Sequence, residues 1–429
     1  MNIPLLGLGS GLVFGLSLSA CGDQTPAMTQ AKPLLPTEAS VGKSPRSFAT
    51  GRYRSLFREI GKGDAEVRAK IDAAWHQLFE GDAKEERVYF PIEGDMAYIK
   101  DIGSDDVRSE GMSYGMMIAV QTDHKAEFDR LWRWAKTHMQ HKSGPWRGYF
   151  AWHCKETGEH LSEFPASDGE EYFATALFFA AGRWGSGKGD LNYRAEADAI
   201  LHAMLHKERD NGGIVETARN MFDLREHQVV FVPNGDAAKF TDPSYHLPAF
   251  YELWALWAKE DRAFWREAAE RSRRLFRQAA HPKTGLFPDY STFDGKPQRA
   301  PWDPNSKNDA FGSDAFRVGF NIALDHAWWA KDPWQVEQSE RMLGFFAAQK
   351  PDYVSGYTLD GTPTVAYKAG GHVAMNALVA GATRSERPEF VRALWDAPIP
   401  RGQWRYYDGM LYMFGLLHAS GQYRIWAPK

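Results

Sequence analysis

The sequence predicts an all-α protein, and specifically an (α/α)6 barrel built from six helical hairpins. Apolar residues recur at helical spacing through most of the 429-residue chain. The predicted helices fall into pairs joined by short turns, as at residues 121–124 and 259–261. Longer loops rich in Gly, Pro and Asp separate the pairs. Alternating short and long connections predict a closed ring whose long loops form one functional face.

The helices follow the apolar periodicity in chain order, and each ends where polar, Gly or Pro residues interrupt it. They are predicted at residues 65–80, 109–121, 124–140, 168–183, 192–206, 245–257, 261–280, 308–327, 332–349, 369–382, 386–396 and 406–420. The long loops between the pairs cover residues 141–166, 209–244, 281–307 and 350–368. We expect substrate contacts mainly in these loops.

The N-terminal region predicts export. The apolar run at residues 5–20 ends in Leu-Ser-Ala-Cys, which is similar to a bacterial lipoprotein signal with Cys21 as the lipidated residue. An ordinary secretory signal is the alternative. Residues 22–46 hold four prolines among small polar residues and predict a flexible tether. We therefore predict a signal at 1–21, a catalytic domain at 47–429, and lipid anchoring that faces the periplasm or cell exterior.

Composition excludes several classes of partner. The net charge is −4 and no basic stripe occurs, which argues against nucleic acid. Two cysteines exclude a disulfide framework and a Cys-based zinc site. The histidines form no His-Glu-x-x-His pattern, and His138 and His141 are interpreted as a solvated pair. We predict no metal and no cofactor. The aromatic content of 14% suits stacking on sugar rings.

Three acidic residues begin helices in a similar way: Glu110, Asp168 and Asp314. Glu110 stands between a charged loop and an apolar helix, where low dielectric would raise a carboxyl pKa and make it a proton donor. Asp168 could instead be a helix N-cap, and Asp314 a cap or an ion pair with Arg317. Two carboxyl groups across a cleft are what glycoside hydrolysis requires.

Several segments together resemble glycoside hydrolase family 8. The resemblance is closest to its xylan-active branch, which contains endo-xylanases and reducing-end xylose-releasing exo-oligoxylanases. It covers nearly all of residues 47–426. The segments that carry it are Ser-Glu-Gly-Met-Ser-Tyr-Gly-Met at 109–116, Pro-Ala-Ser-Asp-Gly-Glu-Glu-Tyr at 165–172, Asp-Pro-Ser-Tyr-His at 242–246, Ser-Asp-Ala-Phe-Arg at 313–317 and Arg-Tyr-Tyr-Asp at 405–408.

The resemblance implies a role for each matching residue. Glu110 is the expected general acid and Asp314 the general base that activates water. Asp168 is expected to bind and distort the sugar at the cleavage point. Tyr245 would hold the attacking water, and Arg317 would orient Asp314. The resemblance also implies an (α/α)6 barrel, inversion of the anomeric centre, and no metal.

Aromatic residues beside these segments are predicted to contact sugar. Tyr114 shares the segment of Glu110, and the others lie in or next to long loops. The predicted substrate-binding aromatics are Tyr114, Trp146, Tyr290, Tyr406 and Tyr407. Tyr149, Trp152, Trp302 and Trp404 lie in similar positions and are further candidates.

One segment separates the two activities of the xylan branch. The exo-acting members carry a Leu-His-Pro element that closes the cleft, whereas residues 364–372 here read Thr-Val-Ala-Tyr-Lys-Ala-Gly-Gly-His. We therefore predict a monomeric endo-1,4-β-xylanase that acts on xylan and xylo-oligosaccharides. The alternatives are a reducing-end xylose-releasing exo-oligoxylanase, a family-8 β-glucanase or chitosanase, and, in another class, a lyase or a glycan-binding protein.

Overall fold

The structure is a computed structural model that describes residues 46–428, and this part of the chain is mostly helical. The predicted signal at 1–21, its lipidation site Cys21 and residues 22–45 of the predicted tether lie outside the described residues. Within residues 46–428, no helix is long and apolar enough to span a membrane.

A helix lies at each of the twelve predicted positions, and two short helices precede them. In chain order the helices are α1 (Ser47–Thr50), α2 (Leu56–Glu59), α3 (Asp64–Trp75), α4 (Ser109–Thr122), α5 (Lys125–Trp134), α6 (Ser167–Trp184), α7 (Tyr193–Asp210), α8 (Pro248–Trp257), α9 (Arg262–Ala279), α10 (Phe316–Trp328), α11 (Trp334–Ala347), α12 (Gly370–Val379), α13 (Pro388–Asp396) and α14 (Arg405–Ala419). One-turn π-helices extend α3 and α5, which accounts for the longer predicted spans.

Alternate long helices pack side by side. Helix α4 contacts α6, α8 contacts α10, α10 contacts α12, α12 contacts α14, and α14 contacts α4. Between α6 and α8, the Trp254 indole N–H donates a hydrogen bond of 3.0 Å to the Thr175 hydroxyl. The remaining long helices each pack on one of these: α3 on α14, α5 on α4, α7 on α6, α9 on α8, α11 on α10 and α13 on α12. Nearly every residue of α4 and α6 is therefore buried.

One predicted helix begins much later than expected. The periodicity predicts a helix from residue 308, but α10 begins at Phe316. The preceding residues form a loop because a carboxylate oxygen of Asp289 accepts hydrogen bonds from the backbone N–H groups of Gly312 and Ala315, at 3.1 and 2.9 Å. This loop carries Asp314, so tertiary contacts override the local helical pattern at a functional position.

Short strands, which an all-α prediction omits, form three small antiparallel sheets. Each has only two to four residues, too few for a clear sequence pattern. The strands are β1 (Tyr89–Ile92) with β2 (Met96–Ile99), β3 (Val107–Arg108) with β4 (His153–Cys154) and β5 (His160–Ser162), and β6 (Phe222–Asp223) with β7 (Gln228–Val229). Strand β3 leads directly into α4 and thereby fixes the start of that helix.

Candidate active site

A cleft of about 670 Å³ opens among the loops that precede α4, α6 and α10. Its polar floor contains the three predicted carboxylates and Arg317, and its walls are largely aromatic. The residues that line it include Glu110, Asp168, Asp314, Arg317, Tyr245, Tyr290, Trp152, Phe164, Phe231 and Trp302. The cleft therefore combines paired acids with flat apolar surfaces.

Arg317 joins the three carboxylates into one network. Its Nη1 donates hydrogen bonds to Glu110 Oε2 at 2.9 Å and to Asp168 Oδ2 at 3.0 Å, and its Nη2 donates to Asp314 Oδ1 at 3.1 Å. The guanidinium is almost completely buried. The prediction paired Arg317 with Asp314, and the structure shows that it contacts Glu110 and Asp168 as well.

Glu110 lies in the first turn of α4, directly after β3. The Ser109 N–H donates to the Trp152 carbonyl at 3.0 Å, which fixes this junction against β4. The Tyr406 hydroxyl donates to Glu110 Oε1 at 2.9 Å. Burial raises the pKa of Glu110 to about 7, against the opposing attraction of Arg317. A carboxyl that keeps its proton near neutral pH can act as a general acid.

The other two acids differ in exposure. Asp168 lies in the first turn of α6, and burial raises its pKa above the ordinary value. Asp314 lies in the loop before α10 with 30% of its side chain exposed. Two further buried acids, Asp242 and Asp289, have pKa values raised mainly by burial and then by the charge of Asp314. Sequence reasoning assigned no role to either: Asp242 begins one of the segments that carry the family resemblance, and Asp289 is one Asp among many in polar loops.

Several predicted aromatic residues lie at the cleft. Tyr245 and Tyr290 line it, and the Tyr245 ring centre is 5.5 Å from the Arg317 guanidinium. Tyr407 lies beside the same guanidinium at 6.0 Å, and its hydroxyl donates to the Ser313 carbonyl at 2.9 Å. Tyr407 thus helps to hold the loop that carries Asp314.

Tyr114 and Trp146, both predicted to contact substrate, are buried and do not line the cleft. Tyr114 is 1% exposed and accepts a hydrogen bond of 2.7 Å from Arg317, beneath the carboxylates. Trp146 is 7% exposed and packs edge-on against Phe164, which itself lines the cleft. Their positions in the sequence could not distinguish a residue at the surface of the cleft from one that supports it.

Two aromatic wall residues were not predicted, Phe164 and Phe231. Phe231 packs against Tyr290 at 4.4 Å and against Tyr245 at 5.8 Å between ring centres. Phenylalanine in a loop carries no distinctive motif. The only sequence signal is the position of Phe164 close to Asp168.

A helical protein with three carboxylates and aromatic walls in one cleft has the features of a glycoside hydrolase. Comparison with protein families identifies the group. The model of glycosyl hydrolases family 8 matches residues 89–421, and the chain belongs to this family.

Known relatives are similar over most of the chain. A reducing-end xylose-releasing exo-oligoxylanase of Paenibacillus barcinonensis is 46% identical over 89% of this chain and 98% of its own length. A protein of the same name from Halalkalibacterium halodurans is 41% identical over 89% of this chain and 97% of its own. Among solved structures, a GH8 xylobiose complex from Teredinibacter turnerae is 49% identical with a TM-score of 0.86, covering 89% of this chain and 100% of that one.

Proposed function

We propose that this hydrolase cleaves β-1,4-xylosidic bonds with inversion and releases xylose from the reducing ends of xylo-oligosaccharides. Three relatives with that named activity, 46%, 41% and 39% identical, support this specificity. It is the alternative of the sequence analysis, and these relatives support it better than endo-action. Hydrolysis itself rests on one observation, the convergence of Glu110, Asp168 and Asp314 on Arg317.

The geometry supports a different role for each of these acids. Glu110, with its raised pKa, donates a proton to the leaving oxygen. Asp314, the more exposed acid, accepts a proton from the attacking water, and Tyr245 holds that water. Asp168 binds the sugar at the cleavage point. An inverting pair leaves room for water between acid and base, so a β-linked substrate yields an α-anomer.

Endo-action is the second candidate, and a specific observation favours it. Residues 364–372 lack the Leu-His-Pro element that the resemblance associates with exo-action. Moreover, one similar structure, 48% identical with a TM-score of 0.86, is a xylohexaose complex of a catalytic mutant of a Teredinibacter turnerae xylanase. An open cleft would admit sugar units on both sides of the scissile bond.

A timed digestion of xylohexaose and polymeric xylan by the purified protein tests both candidates. Stepwise xylose release from hexaose, with polymer viscosity unchanged, supports reducing-end action. Early xylobiose and xylotriose with falling viscosity would replace it with endo-action. Proton NMR of the first product should show the α-anomer, and a β-anomer would overturn inversion. Absence of hydrolysis on both substrates would overturn the xylan assignment.

We further propose that the contacts among α4, α6, α8, α10, α12 and α14 close an inner ring, with the other long helices outside it, as in an (α/α)6 barrel.

We also propose that residues 1–21 are a lipoprotein signal and that residues 22–46 tether a monomeric catalytic domain at 47–429. Cys21 would anchor this domain at the periplasmic or outer face of a membrane. Cys21→Ala should move the protein from the membrane fraction to the soluble fraction.

A further inference from the structure

Outside the cleft, two histidines and a glutamate converge at the surface. The ligand atoms of His141, His160 and Glu163 all lie within 4.8 Å of one another. We propose that these three residues bind a divalent transition-metal cation of the zinc type. The sequence analysis grouped His141 with His138, three residues away, but the fold places it beside His160 instead.

Hydrogen bonds fix which nitrogen of each imidazole can bind a cation. The Nε2 of His141 lies 2.8 Å from the Glu163 carbonyl, and the Nε2 of His160 lies 2.7 Å from the His138 carbonyl. A carbonyl only accepts, so both Nε2 atoms carry hydrogen and both Nδ1 atoms hold a lone pair in the neutral rings. Metal-binding histidines commonly have this arrangement, with the distal N–H held by a backbone carbonyl.

The two Nδ1 atoms face the same carboxylate oxygen. Glu163 Oε2 is 2.8 Å from His160 Nδ1 and 3.6 Å from His141 Nδ1. Two imidazole nitrogens and a carboxylate oxygen that lie within 4.8 Å of one another can share one cation.

The separations suit a small metal ion. Zinc bonds of about 2.0–2.2 Å in tetrahedral geometry place ligand atoms roughly 3.4 Å apart. The two distances to Glu163 Oε2, 2.8 and 3.6 Å, bracket that value, and the two imidazole ligand atoms lie within 4.8 Å of each other. Two imidazoles and a carboxylate are ligands that zinc accepts, and water can take the fourth position.

Backbone pairing holds the ligands before any cation binds. His160 lies in β5, opposite Cys154 of β4. The His141 N–H donates to the Tyr149 carbonyl at 2.9 Å. Glu163 directly precedes Phe164, a residue of the cleft wall. A bound cation would therefore join two segments of the long loop and restrain the backbone next to the cleft.

A second cluster, formed by His202, His206 and Glu260, does not leave its histidine nitrogens free for a cation in this way. His202 places one ring nitrogen 2.5 Å from Glu260 and the other 3.0 Å from Asp210, so both nitrogens have carboxylate partners. The Arg209 guanidinium lies 3.2 Å from His202 and would repel a cation. His202→Ala is consequently a matched control for removal of a surface histidine.

Calorimetric titration of the untagged, chelator-treated protein with Zn²⁺ tests the proposal. We expect one ion per chain, and a tetrahedral cobalt absorption spectrum when Co²⁺ replaces Zn²⁺. Glu163→Gln keeps the size of the side chain but removes a ligand charge, and His160→Ala removes a nitrogen ligand. Each should weaken binding by more than the roughly 10- to 100-fold that loss of a supporting hydrogen bond costs.

His202→Ala should bind the ion as the wild type does. The proposal is overturned if the wild type shows no binding, if Glu163→Gln binds with unchanged affinity while its circular dichroism is native, or if His202→Ala alone abolishes binding. Glu163 is exposed, so the Gln variant should fold normally. Because calorimetry and the cobalt spectrum do not depend on turnover, the result is independent of the proposed xylan hydrolysis.

Discussion

Two buried arginines in this protein each bind three carboxylates, yet only one of them lies in the cleft. Arg273 pairs with Asp325 through two nitrogens, both at 2.8 Å, and with Glu252 and Glu270 at 2.9 and 2.7 Å. Arg317 makes single contacts with each of its three acids. Each arginine thus has three carboxylate partners, and the two networks differ in how completely the negative charges are compensated.

The Arg273 network has additional partners. Lys331 lies 2.6 Å from Glu252, and Glu270 is half exposed to water. Around Arg317, in contrast, three carboxylates share one guanidinium, and the pKa values of Glu110 and Asp168 are raised. Burial raises both pKa values and the shared guanidinium opposes it only in part, so a proton is retained in the cleft, as general acid catalysis requires. We therefore expect the Arg273 network to contribute mainly to stability and the Arg317 network to contribute to the proposed chemistry.

The largest expected effect is the loss of turnover on neutralising either catalytic acid. Glu110→Gln cannot release a proton and Asp314→Asn cannot accept one, so kcat on xylo-oligosaccharides should fall by roughly 10²- to 10⁴-fold in each. Initial rates from product chromatography measure this. Circular dichroism should match the wild type, and full activity in either variant would remove that residue from its assigned role.

Breaking the Arg273 network should lower the free energy of unfolding and leave the rate of hydrolysis unchanged. Arg273→Met leaves Asp325, which is 0% exposed, without its bidentate partner. Loss of one member of a buried ion pair typically costs about 3–5 kcal/mol. Urea unfolding followed by tryptophan fluorescence should show this loss, while kcat of the folded variant stays unchanged. A folded Arg273→Met variant without turnover would show that the two networks are not separate.

The sequence anticipates some parts of this comparison better than others. Helix positions follow from apolar periodicity, and the carboxylates that meet at Arg317 lie in the motifs around Glu110, Asp168 and Asp314, whose expected roles come from the family resemblance. The start of α10 is wrong because Asp289 holds the preceding loop by contacts across 23 residues. The burial of Tyr114 and Trp146 could not be predicted, because exposure depends on packing that local sequence does not encode. The charged neighbours of Asp242 and the cluster of His141, His160 and Glu163 become visible only when distant segments meet in the fold.

The pH dependence of activity tests the protonation state of Glu110. In the proposed mechanism Glu110 must be protonated to act, and its pKa is raised to about 7. The value of kcat/KM should therefore fall as pH rises through about 7, approaching tenfold per pH unit above it. Rates at low substrate concentration between pH 5 and 9 measure this limb. A profile that stays level up to pH 9 would show that Glu110 does not set it.

A smaller and more specific change concerns the hydroxyl that contacts Glu110. Tyr406 donates to Glu110 Oε1, and this hydrogen bond holds the pKa of Glu110 down by favouring its ionised form. Tyr406→Phe should therefore move the alkaline limb of kcat/KM upward by roughly half to one pH unit, the equivalent of one hydrogen bond. Tyr407→Phe is the matched control, because its hydroxyl donates to the Ser313 carbonyl and should leave the limb in place. A downward shift in Tyr406→Phe, or an equal shift in both variants, would show that this hydroxyl does not tune the acid.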